Sequence, residues 1–189
     1  MADITSDSVG GRRNARSVAS VLPSGGASQN GADALSHEEL VACAELLFFA
    51  YRDFISDPDA ILARSDFGRA HHRVLHFVDR NPGLTVADLL DILKITKQSL
   101  ARVLKELIDS GLIEQRTGRE DRRRRLLHAT PAGRVLSASL SAPQEERIKA
   151  ALADLGPEGR GIVTAFLFGM VNAPERASAA LLVAKDGER

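Results

Sequence analysis

Between Arg116 and Arg125, six arginines (Arg116, Arg119, Arg122, Arg123, Arg124 and Arg125) stand against Glu120 and Asp121. Six minus two is a net charge of +4 in ten residues, in a chain of 189 whose formal net charge is zero. A guanidinium stays charged at any physiological pH, and its donor fork fits phosphate oxygens. Charge this concentrated asks for a polyanion at one place on the surface. Just upstream, Thr96, Lys97, Gln98, Ser99, Arg102 and Lys105 follow one another along a stretch with helical spacing. Thr96, Lys97 and Ser99 fall at a helix start, where free N–H groups and hydroxyls can hold phosphate. The Gln98 amide suits adenine, and the Arg102 fork suits guanine. Lys105 continues the same stripe. From the cluster, Arg119, Arg122, Arg123 and Arg124 would reach beside the groove, where a narrow A·T-rich minor groove favours arginine. Asp121, among four arginines, is expected to position Arg123 or Arg119 by a salt bridge rather than meet the polyanion itself.

These side chains need a scaffold, and the flanking sequence supplies its pattern. Leu100, Val103, Leu104, Leu107 and Ile108 form an apolar face opposite the polar stripe, predicting a helix from Lys97 to about Ser110. Thr96 caps it, and Gly111 supplies a left-handed stop. Before it, Thr85 caps a short helix carrying Val86, Leu89, Leu90 and Leu93, with the turn Lys94-Ile95 between. After it, Leu112–Arg116 and Arg124–Ala129 read as two short strands around the arginine loop. The order is helix, turn, helix, hairpin: a reading helix with a wing.

Outward from this unit the chain reads as helical. Ser36 and Glu39 make a capping box for a helix to about Ser56, which Asp57-Pro58 is expected to end. A second helix spans about Asp66–Arg80, with Phe67, Ala70, Val74, Phe77 and Val78 inward. Thr130-Pro131 opens a long helix that Pro143 should kink or break and Gly156-Pro157 should end. A last helix carries Ile162, Val163, Phe166, Leu167 and Met170. The fold class is therefore mainly α with a small β-hairpin wing. Five segments result: 1–34 a disordered arm, 35–65 an N-terminal dimerisation helix and connector, 66–130 the winged helix-turn-helix domain, 131–175 C-terminal dimerisation helices, and 176–189 a tail.

Composition narrows the function. Hydrophobic residues make up 44% of the chain, enough for a core, while aromatics are 4% and Trp is absent, as suits helix-on-helix packing. The single Cys43 precludes an intramolecular disulfide and fits a reducing, cytoplasmic setting. No apolar run approaches the roughly 20 residues of a membrane span, and the start of the chain lacks a secretory signal pattern. Enzymatic readings find no phosphate loop or nucleophile elbow. Glu38-Glu39 and Glu145-Glu146 read as solubilising charge. The first and last helices carry apolar stripes including Phe48, Phe54, Phe166, Phe168 and Met170, more than one small domain can bury, so a homodimer follows. On the double-stranded DNA that the reading helix and wing call for, two-fold symmetry then predicts a palindromic site.

The wing and the helix after it carry a further pattern. Asp121-Arg122-Arg123, Leu126, and Thr130 with Gly133 follow D-R-R-x-x-L-x-x-L-T-x-x-G, with Ala129 where a leucine is usual. On this pattern residues 84–133 resemble the MarR family of winged helix-turn-helix regulators. The stretches Gly68–His76 and Ile95–Ala101 look like its LdtR/PetP-like branch. The resemblance implies a homodimer built by the terminal helices, a repressor or dual regulator, and control by a small effector or an oxidant. It implies no cofactor. It also implies an effector pocket between the first, second and fifth helices, for which Phe48, Tyr51, Arg52 and His71 are the lining candidates.

Two sensing residues have competing readings. Cys43 falls on the apolar face, where a thiol is usually a small inert hydrophobe; the resemblance offers an oxidant-sensing thiol instead. His72 and His76 have an i,i+4 spacing that can ligate zinc, but Arg69, Arg73 and Arg80 share their stripe and argue against a metal. The rival to sequence-specific regulation is a winged-helix module with non-specific, architectural DNA affinity.

Overall fold

The computed structural model describes residues 35–118 and 121–184. The expected disordered arm 1–34 and Arg119 lie outside the described residues. The elements are α1 (His37–Leu62), α2 (Arg69–Arg80), α3 (Val86–Leu93), α4 (Lys97–Asp109), β1 (Ile113–Thr117), β2 (Arg125–Ala129), α5 (Pro131–Ala151), α6 (Pro157–Gly169), a 3-10 turn Ala173–Glu175, and α7 (Arg176–Ala184). The chain divides into two units within α1, one up to Tyr51 and the other from Arg52 on.

In the second unit the core gathers around the reading helix. Leu100, Val103, Leu104 and Leu107 of α4 are buried with Val74, Leu75 and Val78 of α2, Leu89 and Leu93 of α3, and Ile113, Leu127 and Ala129 of the hairpin. On α2, Leu75 rather than Ala70 turns inward, and Ala70 is exposed. Ala129, the departure from the leucine pattern, is buried opposite Ile113 in the antiparallel register. The hairpin gains a third, one-residue partner that sequence spacing did not reveal. Leu84 bridges Leu127, whose N–H donates to the Leu84 carbonyl and whose carbonyl accepts from the Gly83 N–H, each at 2.8 Å.

Two proline expectations are corrected and one is narrowed. α1 does not end at Asp57-Pro58 but runs on to Leu62, with Pro58 and Leu62 buried. A proline inside a helix leaves the carbonyl four residues back without its donor. Here that carbonyl belongs to Phe54, and the Gln144 amide of α5 donates to it at 3.1 Å. Arg147 of α5 also grips Asp57 at 2.8 Å. A long-range contact thus replaces the hydrogen bond that proline removes. α5 continues through Pro143, so of the two outcomes expected there, a kink or a break, the break does not occur. Gly156-Pro157 does not end α5, which stops at Ala151; it opens α6, with Gly156 at the cap and Pro157 in the first turn.

The segment read as a tail contains α7, rich in alanine and leucine, which are good helix formers. Its all-round apolar sequence lacks the one-sided period that signals an amphipathic helix. The turn before it is tied back by an ion pair between Glu175 and Lys94, 3.1 Å apart.

Candidate nucleic-acid interface

The reading helix is placed by caps at both ends of its turn. The Thr85 side chain accepts from the Asp88 N–H, and the Asp88 carboxylate accepts from the Thr85 N–H and hydroxyl at 2.7 Å. α3 closes on Lys94 in the left-handed region, φ 51°, and its N–H returns to the Leu90 carbonyl. Thr96 then accepts from the Ser99 N–H and starts α4. The hydroxyls of Thr96 and Ser99 bond each other at 2.8 Å, so both sit together at the helix mouth.

The expected stripe is exposed as a unit: Thr96, Lys97, Gln98, Ser99, Ala101, Arg102 and Lys105 all face outward, while Leu100, Val103, Leu104 and Leu107 are buried. The charges on it differ in their commitments. Lys105 is paired with Asp109 one turn on, and this pairing raises its pKa. Lys97 and Arg102 hold no ion pair with any described residue.

In the wing, Arg116 is drawn back along its strand, its Nη2 2.5 Å from Glu114 Oε1, and Arg125 donates to the Thr117 hydroxyl at 2.8 Å. Arg122, Arg123 and Arg124 are exposed and form no ion pair with any described residue. Asp121 bonds the backbone of the wing and forms no salt bridge to Arg123, while its other expected partner, Arg119, lies outside the described residues. The Asp121 carboxylate accepts the Arg123 N–H at 2.9 Å, and its carbonyl accepts the Arg124 N–H at 3.1 Å. A carboxylate bonding the backbone two residues on is the local turn that aspartate favours. These bonds fix the backbone that carries Arg122, Arg123 and Arg124, all three exposed.

The T-x-x-G part of the pattern has a packing reason. The Thr130 hydroxyl donates to the Gly111 carbonyl at 2.7 Å and accepts from the Gly133 N–H at 3.1 Å. A Cβ at Gly133 would lie 2.0 Å from the Leu112 carbonyl oxygen. Only glycine lets α5 dock this closely on the turn that joins α4 to the wing.

The candidate sensing residues are placed less uniformly. Phe48 and Tyr51 are 73% and 61% exposed on α1, and Arg52 is paired with Asp53 at 2.8 Å. His71 is buried at 7% exposure, and both its ring nitrogens are used. The Gly68 N–H donates to Nδ1 at 3.0 Å, and Nε2 lies 2.5 Å from Glu106 Oε2 on α4. No nitrogen of His71 is left for a ligand. Cys43 is exposed rather than a small buried hydrophobe. His72 and His76 are edge-on, 6.3 Å between centroids, and burial lowers the pKa of each. Arg69 is turned onto Asp59 at 2.6 Å. Sequence reasoning missed Glu106 and Gln144, whose roles appear only through partners 35 and 90 residues away.

A family model described as MarR family matches residues 65–124, the stretch from before α2 to the wing. The HTH-type transcriptional regulator PetP of Rhodobacter capsulatus is 53% identical over 124 residues, spanning 66% of this chain and 75% of that protein. The chain belongs to the MarR family. Among solved structures, Streptococcus pneumoniae FabT in complex with DNA is similar with a TM-score of 0.60 at 18% identity, covering 69% of this chain and 94% of that one. A MarR family transcriptional regulator from Listeria monocytogenes, complexed with 26mer DNA, is similar with a TM-score of 0.59 at 22% identity, over 77% and 96%. These likenesses establish the mainly helical fold with its two-stranded wing. MarR family members of this kind are transcription regulators rather than enzymes, so Glu38-Glu39 and Glu145-Glu146 need no catalytic role. Glu39 has a structural one: it accepts the Ser36 N–H at 2.8 Å, which lowers its pKa. Among the described residues, no helix is long and apolar enough to cross a membrane.

Proposed function

We propose that this protein is a sequence-specific, ligand-responsive repressor that binds double-stranded DNA as a homodimer at a palindromic operator. The observation that carries the reading is the outward stripe of α4, with Gln98 and Arg102 exposed and Arg102 in no ion pair among the described residues, together with a wing on which Arg122, Arg123 and Arg124 are exposed. Gln98 and Arg102 read base edges. Thr96, Lys97 and Ser99 hold phosphate at the helix start, and the wing arginines brace the flanking groove. Lys105 and Arg116 are held by their own carboxylates and add charge more than contact.

Dimerisation is supported by apolar side chains that the single chain leaves bare. Phe48 and Phe49 on α1 are exposed, as are Ile162, Phe166, Leu167, Phe168 and Met170 on α6. Exposed apolar area of this extent marks an interaction surface. Effector control and the repressor role rest on family membership. Phe48, Tyr51 and Arg52 remain the candidate lining for a small effector, without His71 as a ligand. No cofactor is part of the reading.

The test is a titration of the purified protein against a duplex from its own upstream region and against a scrambled duplex of equal length. Specific binding should favour the former by about a thousandfold or more at physiological salt. Equal affinity for both would replace this reading with that of an architectural module.

A further inference from the structure

α4 is held on the domain mainly by apolar contacts, and these are not directional. Leucines and valines against leucines tolerate a small roll of the helix, whereas base readout does not. One directed, part-buried contact removes that freedom. His71 of α2 reaches Glu106 of α4, a half-exposed residue on the flank of the helix, one turn on from Arg102 of the outer stripe.

The geometry also settles how His71 does this. A ring nitrogen accepts a backbone N–H only through its lone pair. Because Nδ1 accepts from Gly68, Nε2 carries the hydrogen and donates it to Glu106. The same ring therefore caps the first turn of α2 and anchors α4. That turn is itself held to the end of α1 by Arg69 on Asp59. Three contacts in series run from the end of α1, through the start of α2, to the reading helix.

We propose that His71 is a positioning residue for DNA recognition: through Glu106 it sets the attitude in which α4 presents Gln98 and Arg102 to the groove. This rests on the DNA-binding reading above. It also accounts for a buried histidine, in the second helix of a regulator, whose two nitrogens are both engaged.

The full-length protein and the two duplexes of the preceding section supply the test. His71→Asn keeps an acceptor where Nδ1 stands, and so keeps the cap on α2, but is too short to reach Glu106. Glu106 is partly exposed, so Glu106→Leu should fold, and Glu106→Gln retains an acceptor oxygen. The expected result is a loss of about tenfold in the preference for the upstream duplex in His71→Asn and in Glu106→Leu, with no further loss in the double variant. Glu106→Gln should restore preference to within about twofold, since the acceptor remains. A purely structural role would lower the affinity for both duplexes alike and leave their ratio unchanged; that result overturns the proposal. Additive losses in the double variant would overturn it as well. Nitrogen-15 spectra of the imidazole supply a readout without DNA: wild type should show His71 as the Nε2–H tautomer, and an Nδ1–H tautomer would exclude the strut. If wild type itself fails to discriminate the duplexes, the DNA-binding reading falls and this one with it. If wild type discriminates and the variants do so equally, only His71's role falls.

Discussion

Arg102 and Arg123 have the same side chain and are expected to fail differently. In the proposed complex Arg102 stands on the helix that reads the major groove, so Arg102→Ala should cost about 1–3 kcal/mol at one base position and relax preference there. Single-base operator variants measured by fluorescence anisotropy check this. In the same proposed complex Arg123, on the wing, meets phosphate or minor groove. Arg123→Ala should weaken all duplexes evenly and reduce the slope of log affinity against log salt by about 0.9. Arg116→Ala should do less, because Glu114 already holds that guanidinium. Protonation tells a separate story in α2. Burial lowers the pKa of His72 and His76 from the ordinary value of 6.5. The unfolded chain therefore binds these protons more readily than the folded one, so stability is highest above pH 6.5 and falls as pH drops through the lowered values. Urea midpoints across that range should decline on acidification, and a His72→Gln, His76→Gln variant should decline less.

Between elements, single contacts decide geometry that propensity leaves open. Gln144 is the donor that lets α1 pass through Pro58. Gln144→Ala leaves the Phe54 carbonyl without it and should lower stability by about 1–3 kcal/mol in chemical denaturation. Gly133 is the gap through which α5 meets the Leu112 carbonyl. Gly133→Ala forces backbone apart and should cost about 3 kcal/mol, shown by the same measurement. It should also disturb DNA binding, since that turn carries the wing. Either variant with unchanged stability would refute the packing role assigned to it. The caps were readable in advance because Thr85, Thr96 and Thr130 each act on the backbone three residues on. The fate of the prolines was not, because their compensation came from another helix.

For the whole molecule, bare apolar surface is the governing fact. Phe166 and Ile162 are 45% and 64% exposed, and burying one such side chain is worth about 1.5–3 kcal/mol. An Ile162→Asp, Phe166→Asp variant should sediment as a folded monomer. Without a linked second half-site it should lose roughly a hundredfold in operator affinity. A variant that stays dimeric and binds normally would remove α6 from the interface. Cys43→Ser adds a check on sensing: if an oxidant acts through the exposed thiol, only the wild type should release DNA on peroxide treatment.

The amino-acid sequence alone determined the helix-turn-helix, the hairpin, their order and the arginine cluster. Each depends on apolar period, caps and turn residues, whose physics reaches only a few positions along the chain. Tertiary structure alone decided which cations are spent on neighbouring carboxylates and which stay available. It also decided that Asp121 holds the wing through backbone N–H groups, that both His71 ring nitrogens bond within the protein, and that α1 survives its proline. Those outcomes turn on burial and on hydrogen-bond partners from distant segments. A one-dimensional spacing cannot specify which distant donor meets which acceptor; only the packed core brings them together.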